Sequence, residues 1–164
     1  MLTNPFLHWI DVIYGFILKI GSNLQSLLLL YMRIVWGHQF IIKGIGKLRD
    51  IEETVMFFTK LGIPAPYFHA YEVGIIESAC GILLFIGFAS RLAALPLIFV
   101  MLTAFSTAHV DALANLKFLQ DPHILVLERP YPYLITTFMV FIFGPGRVSM
   151  DAWIKRWVDN QPRY

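Results

Sequence analysis

The sequence predicts an all-α membrane protein: a four-transmembrane-helix bundle with amphipathic interfacial helices at the N-terminus, after the first span and at the C-terminus. Composition supports this, because 57% of the 164 residues are hydrophobic and only 15% are charged. Soluble domains hold about 25% charged residues, so a soluble bundle of unusually apolar helices is the weaker interpretation. Several apolar runs also approach the ~20 residues that a helix needs to cross a bilayer. The length suits a single domain over residues 1–164.

The apolar runs place the four spans at residues 24–45, 68–88, 92–110 and 132–146. The fourth run is short for a bilayer, so it would need a thinned bilayer or little tilt. Joined as up-down-up-down, four such spans would form a compact bundle. Residues 111–129 are polar with apolar patches, and we expect a loop with one short helix there.

Three shorter segments have the pattern of helices that lie in the membrane interface. Residues 5–20 are apolar but short for a span, and we expect a turn at residues 21–23 to separate them from the first span. Residues 51–61 form the second helix, which ends at the stop signal of Gly62 and Pro64. The third follows Ser149, a candidate helix cap, and carries two tryptophans one turn apart, as in interfacial aromatic belts.

Charge and motif content exclude several functional classes. The net charge of +2 is too small to indicate nucleic-acid binding. Cys80 is the only cysteine, so an intrachain disulfide and a thiolate-rich metal site are excluded. No phosphate loop, dinucleotide motif, nucleophile elbow or metal-binding histidine spacing occurs, so we expect no metal. Without an autonomous catalytic motif, a non-catalytic subunit is favoured over an enzyme that acts alone.

The lysine and arginine distribution leaves the orientation open. Each predicted side of the membrane carries six of these residues in the loops and termini, so the positive-inside rule does not decide between the two orientations. An even number of spans puts both termini on one side. We expect that side to be the cytoplasm, because Lys43 and Lys47 can be buried partners and not loop charges.

The first predicted span carries more basic residues than a lipid-facing helix would. Arg33, Gly37, Phe40, Gly44 and Lys47 fall on one helical stripe, with steps of four, three, four and three residues. Ionisable side chains at membrane depth are costly, so they usually face the protein interior and have partners. This stripe, with its two glycines, therefore predicts an acidic partner that can come close.

The second predicted span repeats the same spacing, over Glu77, Gly81, Leu84, Phe88 and Arg91. Arg33 and Glu77 each lie about nine residues into their spans, or about 13 Å at 1.5 Å per residue. In antiparallel neighbours these two groups would meet near mid-bilayer, where an arginine fork matches a carboxylate. Gly37 and Gly81 would let the backbones approach. We therefore predict a buried Arg33–Glu77 pair at the centre of the bundle.

Two interpretations of this pair stay open. It can be purely structural and hold the register of two helices, or it can belong to a polar pocket for a quinone, a lipid or a small substrate. A quinone site would need a hydrogen-bond donor near a carbonyl oxygen and aromatic walls. The residues that could form such a pocket are His38, Lys43, Lys47, Glu72, Trp36, Phe40 and Tyr71. No cofactor follows from these residues alone, and quinone is the candidate.

Four short motifs, in order over residues 27–151, resemble the DoxX family of small bacterial membrane proteins. The first is the stripe from Arg33 to Lys47, and the second is the Gly-Ile-Pro segment that begins at Gly62. The third begins at Glu77, and the fourth is the segment 143–151, Phe-Gly-Pro-Gly-Arg-Val-Ser-Met-Asp. Cys80 departs from the family's usual glycine and should slightly widen the closest approach to the second span. Further motif positions are Gly37, Gly44, Gly81, Arg91, Arg147 and Asp151.

The resemblance implies a four-helix protein of the bacterial inner membrane, surrounded by lipid. Some family members are similar to subunits of quinone-linked sulfur oxidoreductases, and others are associated with membrane complexes that handle oxidative or thiol stress. This implies an accessory or quinone-interacting subunit of a membrane oxidoreductase complex, with other oxidoreductase subunits or a second copy of the chain as partners. A binder or transporter of a small amphiphile or anion, and a structural scaffold, are the alternatives.

Overall fold

The computed structural model describes residues 5–110 and 123–161, so part of the expected loop, residues 111–122, lies outside the described residues. Every regular element in these two ranges is a helix, which confirms the all-α prediction. The helices are α1 (Pro5–Arg49), α2 (Ile51–Lys60), α3 (Pro66–Ile86), α4 (Ser90–Ala108), α5 (His123–Val126), α6 (Pro130–Phe143) and α7 (Met150–Asp159).

Three of these helices, α1, α3 and α4, are long and apolar enough to cross a membrane by length and composition. The fourth predicted span corresponds to α6, which is apolar but has only 14 residues. That length is below the ~20 residues of an ordinary span, as the sequence already indicated.

The first helix is longer than predicted, because it joins the predicted N-terminal interfacial helix to the first predicted span. α1 has 45 residues, which makes it about 68 Å long at 1.5 Å per residue. The expected turn at residues 21–23 does not form, so the predicted interfacial helix over residues 5–20 is the first part of α1. The Ser22 hydroxyl donates to the Lys19 carbonyl at 3.0 Å, and the Ser26 hydroxyl donates to the Ser22 carbonyl at 3.3 Å. These serines therefore bond back into the helix and do not cap a new one.

The main packing contact joins the second half of α1 to α3, and the two helices run antiparallel. Gly44 lies against Ser78, and a methyl group added at Gly44 would be 2.5 Å from the Ser78 nitrogen. Gly81 lies against Ile41, whose nitrogen would be 3.0 Å from a methyl group added there. Because no larger residue fits at these points, the glycines set how close the helices come and in which register.

The apolar core lies where α1, α3, α4 and α6 meet. Its buried members are Leu29, Phe40, Leu84, Leu97, Val100, Met101 and Val140. A smaller cluster joins α2 to the beginning of α3 through Val55, Phe58 and Ala70. The Tyr67 hydroxyl also donates to the Glu52 carboxylate at 2.8 Å, which holds α2 beside α3.

The last helix begins as the sequence predicts. The Ser149 hydroxyl accepts a hydrogen bond from the Ala152 nitrogen at 3.1 Å, which is the geometry of an N-cap. Trp153 and Trp157 on α7 are both exposed. This end of the bundle also receives the first half of α1, since the Arg147 guanidinium donates to the Asn23 side chain at 2.6 Å.

Candidate functional site

A buried ion pair joins α1 to α3 midway along α3. The Lys47 ammonium contacts the Glu77 carboxylate, with 28% of the lysine side chain and 5% of the glutamate side chain exposed. Lys47 is the last residue of the first helical stripe in the sequence, and Glu77 is the first residue of the second. One turn earlier on α1, Lys43 is exposed. The result is a polar centre in which one lysine pairs with one carboxylate between two apolar helices.

The predicted Arg33–Glu77 pair does not form. Arg33 lies against Gly87, at the end of α3, ten residues beyond Glu77. Ten residues of helix are about 15 Å, which the two side chains cannot bridge. The prediction paired Arg33 with Glu77 because each lies about nine residues into its span. In the antiparallel pair, however, the beginning of the second stripe, at Glu77, lies beside the end of the first stripe, at Lys47. Lys47, predicted only as part of the pocket, is therefore the partner of Glu77.

A cluster of aromatic rings lies where α1 packs against α6. Tyr133 of α6 packs edge-on against Trp36 and Phe40, with ring centroids 4.9 Å apart in both contacts. Trp36 and Phe40 were predicted pocket residues, and the structure places them on the α6 side of α1. Tyr133 was missed, because no helical stripe in the sequence links α6 to Glu77.

The other predicted pocket residues lie elsewhere. His38 is exposed on the outside of α1. Tyr71 and Glu72 are exposed on α3, where the Glu72 carboxylate is 2.8 Å from the His69 ring nitrogen Nδ1. These two line a shallow surface groove together with Tyr67 and not the buried centre. His38 on α1 and Tyr71 and Glu72 on α3 lie on exposed sides of their helices, whereas Glu77 lies on the buried side of α3. These three residues therefore do not line a pocket at Glu77.

Arg33 takes part in a second cluster, at the end of α3. Its side chain is buried, with 1% exposed, and its Nη2 donates to the Val148 carbonyl at 2.5 Å. The Asp151 carboxylate accepts from the backbone nitrogens of Ala89 at 2.7 Å and Ser90 at 3.0 Å. The Asp151 nitrogen in turn donates to the Gly87 carbonyl at 2.9 Å. We call this group the Arg33 cluster, and it ties the chain after α6 to the α3–α4 corner.

The remaining motif arginines reinforce the same end of the bundle. Arg91 donates to the Ile142 carbonyl at 3.3 Å, and Arg147 reaches Asn23 as described above. Gly87 has φ +74° and Gly144 has φ +80°, so these turns need the backbone freedom of glycine. Most charged motif residues thus connect helix ends. The Lys47–Glu77 pair differs, because it joins two of the helices that are long enough to cross a membrane.

The chemistry available at the Lys47–Glu77 pair is hydrogen bonding and proton exchange. The pair supplies an ammonium donor and a carboxylate acceptor, and the Tyr133 hydroxyl adds a group that can do both. The partly exposed lysine marks the side from which a ligand could reach the pair. Within residues 5–110 and 123–161, no three His, Cys, Asp or Glu side chains lie together as a metal site would require.

Three long apolar helices, a buried charge pair and a terminal helix with exposed tryptophans define a small helical membrane protein. The chain belongs to the DoxX family, whose sequence model matches residues 28–110. This match covers the α1 stripe, all of α2 and α3, and α4 to its end.

Three relatives support the family assignment. CatD of Bacillus subtilis, which carries the provisional name of an oxidoreductase, is 27% identical over 80% of this chain and 90% of its own length. The membrane protein Rv3486 of Mycobacterium tuberculosis is 30% identical over 76% of this chain and 80% of its own. The inner membrane protein YphA of Escherichia coli is 29% identical over 77% of this chain and 90% of its own. No solved structure matches the chain significantly.

Proposed function

We propose that this protein is a non-catalytic subunit of an oxidoreductase complex in the bacterial inner membrane, and that it contacts a quinone at the Lys47–Glu77 pair. The observation that carries the proposal is the position of this pair midway along α3, in a bundle that also holds the aromatic cluster of Tyr133, Trp36 and Phe40 between α1 and α6. The provisional oxidoreductase name of CatD, at 27% identity, adds support to the functional class.

The chemistry of the pair suits a quinone headgroup. The carbonyl oxygens of a quinone accept hydrogen bonds, and the Lys47 ammonium and the Tyr133 hydroxyl are donors. Reduction of a quinone to a quinol adds two electrons and two protons, so a carboxyl group close to the ring can carry a proton to or from it. In this proposal the electrons come from a redox-active partner subunit, and Glu77 handles a proton.

Copurification tests the proposal directly. The full chain is extracted in a mild detergent, and bound quinone is measured by mass spectrometry. We expect quinone to copurify with the native chain, and Glu77→Gln to lower the bound amount about tenfold, which corresponds to about 1.4 kcal/mol. Glu72→Gln is the matched control, because it removes an exposed carboxylate from the same helix and should leave the bound quinone unchanged.

A second assay covers quinone lost during purification. A short-chain ubiquinone analogue added to the purified chain should raise its melting temperature, because a ligand that binds only the folded state stabilises it. No copurifying quinone together with no shift by the analogue would contradict the proposal. Equal binding by the native chain and Glu77→Gln would show that the pair is a structural contact, as in a membrane scaffold.

The charge balance supports a second candidate, a binder of a small anionic amphiphile. The exposed Lys43 lies one turn before Lys47 on α1, so this face of the helix carries two lysines for the single carboxylate of Glu77. Lauric acid should then raise the melting temperature of the native chain more than the quinone analogue does. Lys43→Gln should abolish that difference while leaving any quinone effect in place, because it removes the excess charge and keeps the Lys47–Glu77 pair.

A further inference from the structure

The last helix, α7, has an apolar side that the bundle leaves uncovered. Its large apolar residues follow one another at steps of three, one, three and one, which puts them on one side of the helix. No residue of α7 is buried, and four of these five are 44–63% exposed. A helix of this kind is suited to lie in the membrane interface with its apolar side in lipid. The five residues are Met150, Trp153, Ile154, Trp157 and Val158.

The contacts of α7 fix it at the level of the membrane surface. The Asp151 nitrogen donates to the Gly87 carbonyl at 2.9 Å, at the corner between α3 and α4. Both of these helices are long and apolar enough to cross a membrane, so their corner lies where they leave the bilayer. Exposed tryptophans beside that corner are typical of the same level, which is also the level of the lipid headgroups.

Two exposed arginines next to α7 are held in place by hydrogen bonds. The Arg156 guanidinium donates to the Ala152 carbonyl and to the Arg147 carbonyl, both at 3.1 Å. The Arg147 guanidinium donates to the Asn23 side chain at 2.6 Å. Within residues 5–110 and 123–161 these are the only hydrogen bonds that the two side chains make, and each guanidinium has five N–H donors. Most of their donors are therefore available to a ligand, on groups that are already ordered.

In the part of the chain that the structure describes, no carboxylate neutralises these two arginines. The ion pairs there involve lysine or histidine only. The neighbouring Asp151 carboxylate accepts from two backbone nitrogens at the beginning of α4. Segments 87–91 and 144–161, which form this end of the bundle, hold four basic and two acidic residues, whereas the connection 49–65 at the other end holds two basic and three acidic. The α7 end therefore carries the positive charge that an anionic ligand needs.

We infer that Arg147 and Arg156 bind the phosphate of an anionic phospholipid, whose acyl chains cover the apolar side of α7. A guanidinium matches a phosphate through two parallel hydrogen bonds, and basic groups at headgroup level attract anionic lipids. Trp153 lies one turn from Arg156, so one lipid contacts the charged flank and the apolar side together. A free phosphate would leave that side uncovered. The surface is separate from the Lys47–Glu77 pair, so the inference does not depend on the proposed function.

Thermal unfolding of the purified full chain in a mild detergent tests the class of lipid. Dioleoylphosphatidylglycerol is anionic, and dioleoylphosphatidylcholine has the same acyl chains but no net charge. We expect the first to raise the melting temperature at least about twice as much as the second, because it is bound more tightly by the folded chain. Glycerol 3-phosphate at the same concentration should give no shift, because it lacks acyl chains. Equal shifts by the two phospholipids, or an equal shift by glycerol 3-phosphate, would overturn the inference.

Variants distinguish a defined site from diffuse attraction by positive charge. Native mass spectrometry measures the Kd for phosphatidylglycerol. Arg147→Gln and Arg156→Gln should each raise it about tenfold, because charge-assisted hydrogen bonds are lost. Arg156→Lys keeps the charge but loses the planar fork, and should raise it at least about threefold. Lys155→Gln is the matched control, because it removes one charge from the opposite flank of α7, and its effect should stay below about threefold.

Diffuse attraction depends on charge alone, so it predicts equal effects of Arg156→Gln and Lys155→Gln and no effect of Arg156→Lys. Either result would refute the inference. Helix content by circular dichroism verifies that each variant is folded. Arg156→Lys is the mildest change, and it decides the matter if a glutamine variant does not fold.

Discussion

At the scale of single residues, Lys47 and Glu77 illustrate why removing one member of an ion pair destabilises a protein more than removing both members. The Glu77 carboxylate has lost nearly all contact with water and Lys47 has lost part of it, and the contact between them offsets that loss. A change that removes one partner leaves the other charge buried and alone. A change that replaces both by apolar groups removes the desolvation cost of both charges together with their attraction.

The first prediction follows from this asymmetry. Lys47→Met alone should lower the free energy of unfolding by about 3 kcal/mol, because Glu77 loses its partner inside the bundle. The double variant Lys47→Met/Glu77→Leu should recover at least half of that loss. Unfolding in a graded detergent mixture measures both values. If the double variant is less stable than Lys47→Met, the two residues do not act as a pair.

The second prediction concerns two glycines on the same helix. Gly44→Ala would put a methyl group 2.5 Å from the backbone nitrogen of Ser78, so α1 and α3 must separate, and we expect a loss of about 2 kcal/mol. Gly46→Ala meets nothing within 4 Å and should be neutral or stabilise by up to about 1 kcal/mol. The same unfolding assay compares the two. Similar effects at both positions would contradict close packing at Gly44.

At the scale of helices, the α3–α4 corner depends on the chain that follows α6. Asp151, at the beginning of α7, accepts hydrogen bonds from the first backbone nitrogens of α4, and Arg33 of α1 donates to the carbonyl of Val148, three residues earlier. Four helices thus meet through one short segment. In this structure the sequence motif at residues 143–151 connects helix ends.

The third prediction tests that connection. Asp151→Ala removes two charge-assisted hydrogen bonds from the beginning of α4, and we expect the free energy of unfolding to fall by about 2 kcal/mol. Asp159→Ala removes an exposed carboxylate from the other end of α7 and should change the stability by less than about 0.5 kcal/mol. Equal stability of the two variants would show that the Asp151 contacts contribute nothing.

At the scale of the whole molecule, the two described ends of the chain lie at one end of the bundle. The contact between Arg147 and Asn23 brings the segment before α7 next to α1, while α2 and the beginning of α3 lie at the other end. The expectation that both termini face one side of the membrane rests on this arrangement and on an even number of crossings, with α6 as the shortest.

The fourth prediction makes that arrangement measurable. In a Cys80→Ala chain, Asp11→Cys and Asn160→Cys should react with a membrane-impermeant maleimide from the same side, and Lys60→Cys from the opposite side. Intact and opened cells are compared, and a permeant maleimide verifies that each cysteine is reactive. Labelling of Asp11→Cys and Lys60→Cys from one side would mean that α1 does not cross the membrane.

Much of this molecule was predictable from local patterns. Composition and long apolar runs predict helices in a membrane, and the four-three spacing identifies the buried stripe of α1 and, on α3, its first three members, Glu77, Gly81 and Leu84. The last two members, Phe88 and Arg91, lie beyond the end of α3 and are exposed. The Ser149 cap and the glycine contacts also follow from residue types at short range. The turn at residues 21–23 was predicted wrongly, because serine and asparagine favour caps but can also continue a helix, as Ser22 does when its hydroxyl bonds back to the Lys19 carbonyl.

The partner of Glu77 could not be predicted from how far each charged residue lies from the beginning of its span. The two stripes do contain the answer, since antiparallel helices bring Lys47 at the end of one to Glu77 at the beginning of the other. Choosing that alignment requires the positions where Gly44 and Gly81 touch the facing backbone. The contribution of Tyr133 depends on how α6 packs on α1, and no pattern within α6 indicates it.

The sequence by itself determined the helical class, the stripes that face inward and the family, because these depend on periodicity and composition along the chain. Only the tertiary structure decided which buried charges meet, that Arg33 binds helix ends and not Glu77, and that α1 extends beyond the bundle. Those outcomes depend on the register between helices. Close backbone contact at the glycines sets that register, over distances that no single segment of sequence specifies.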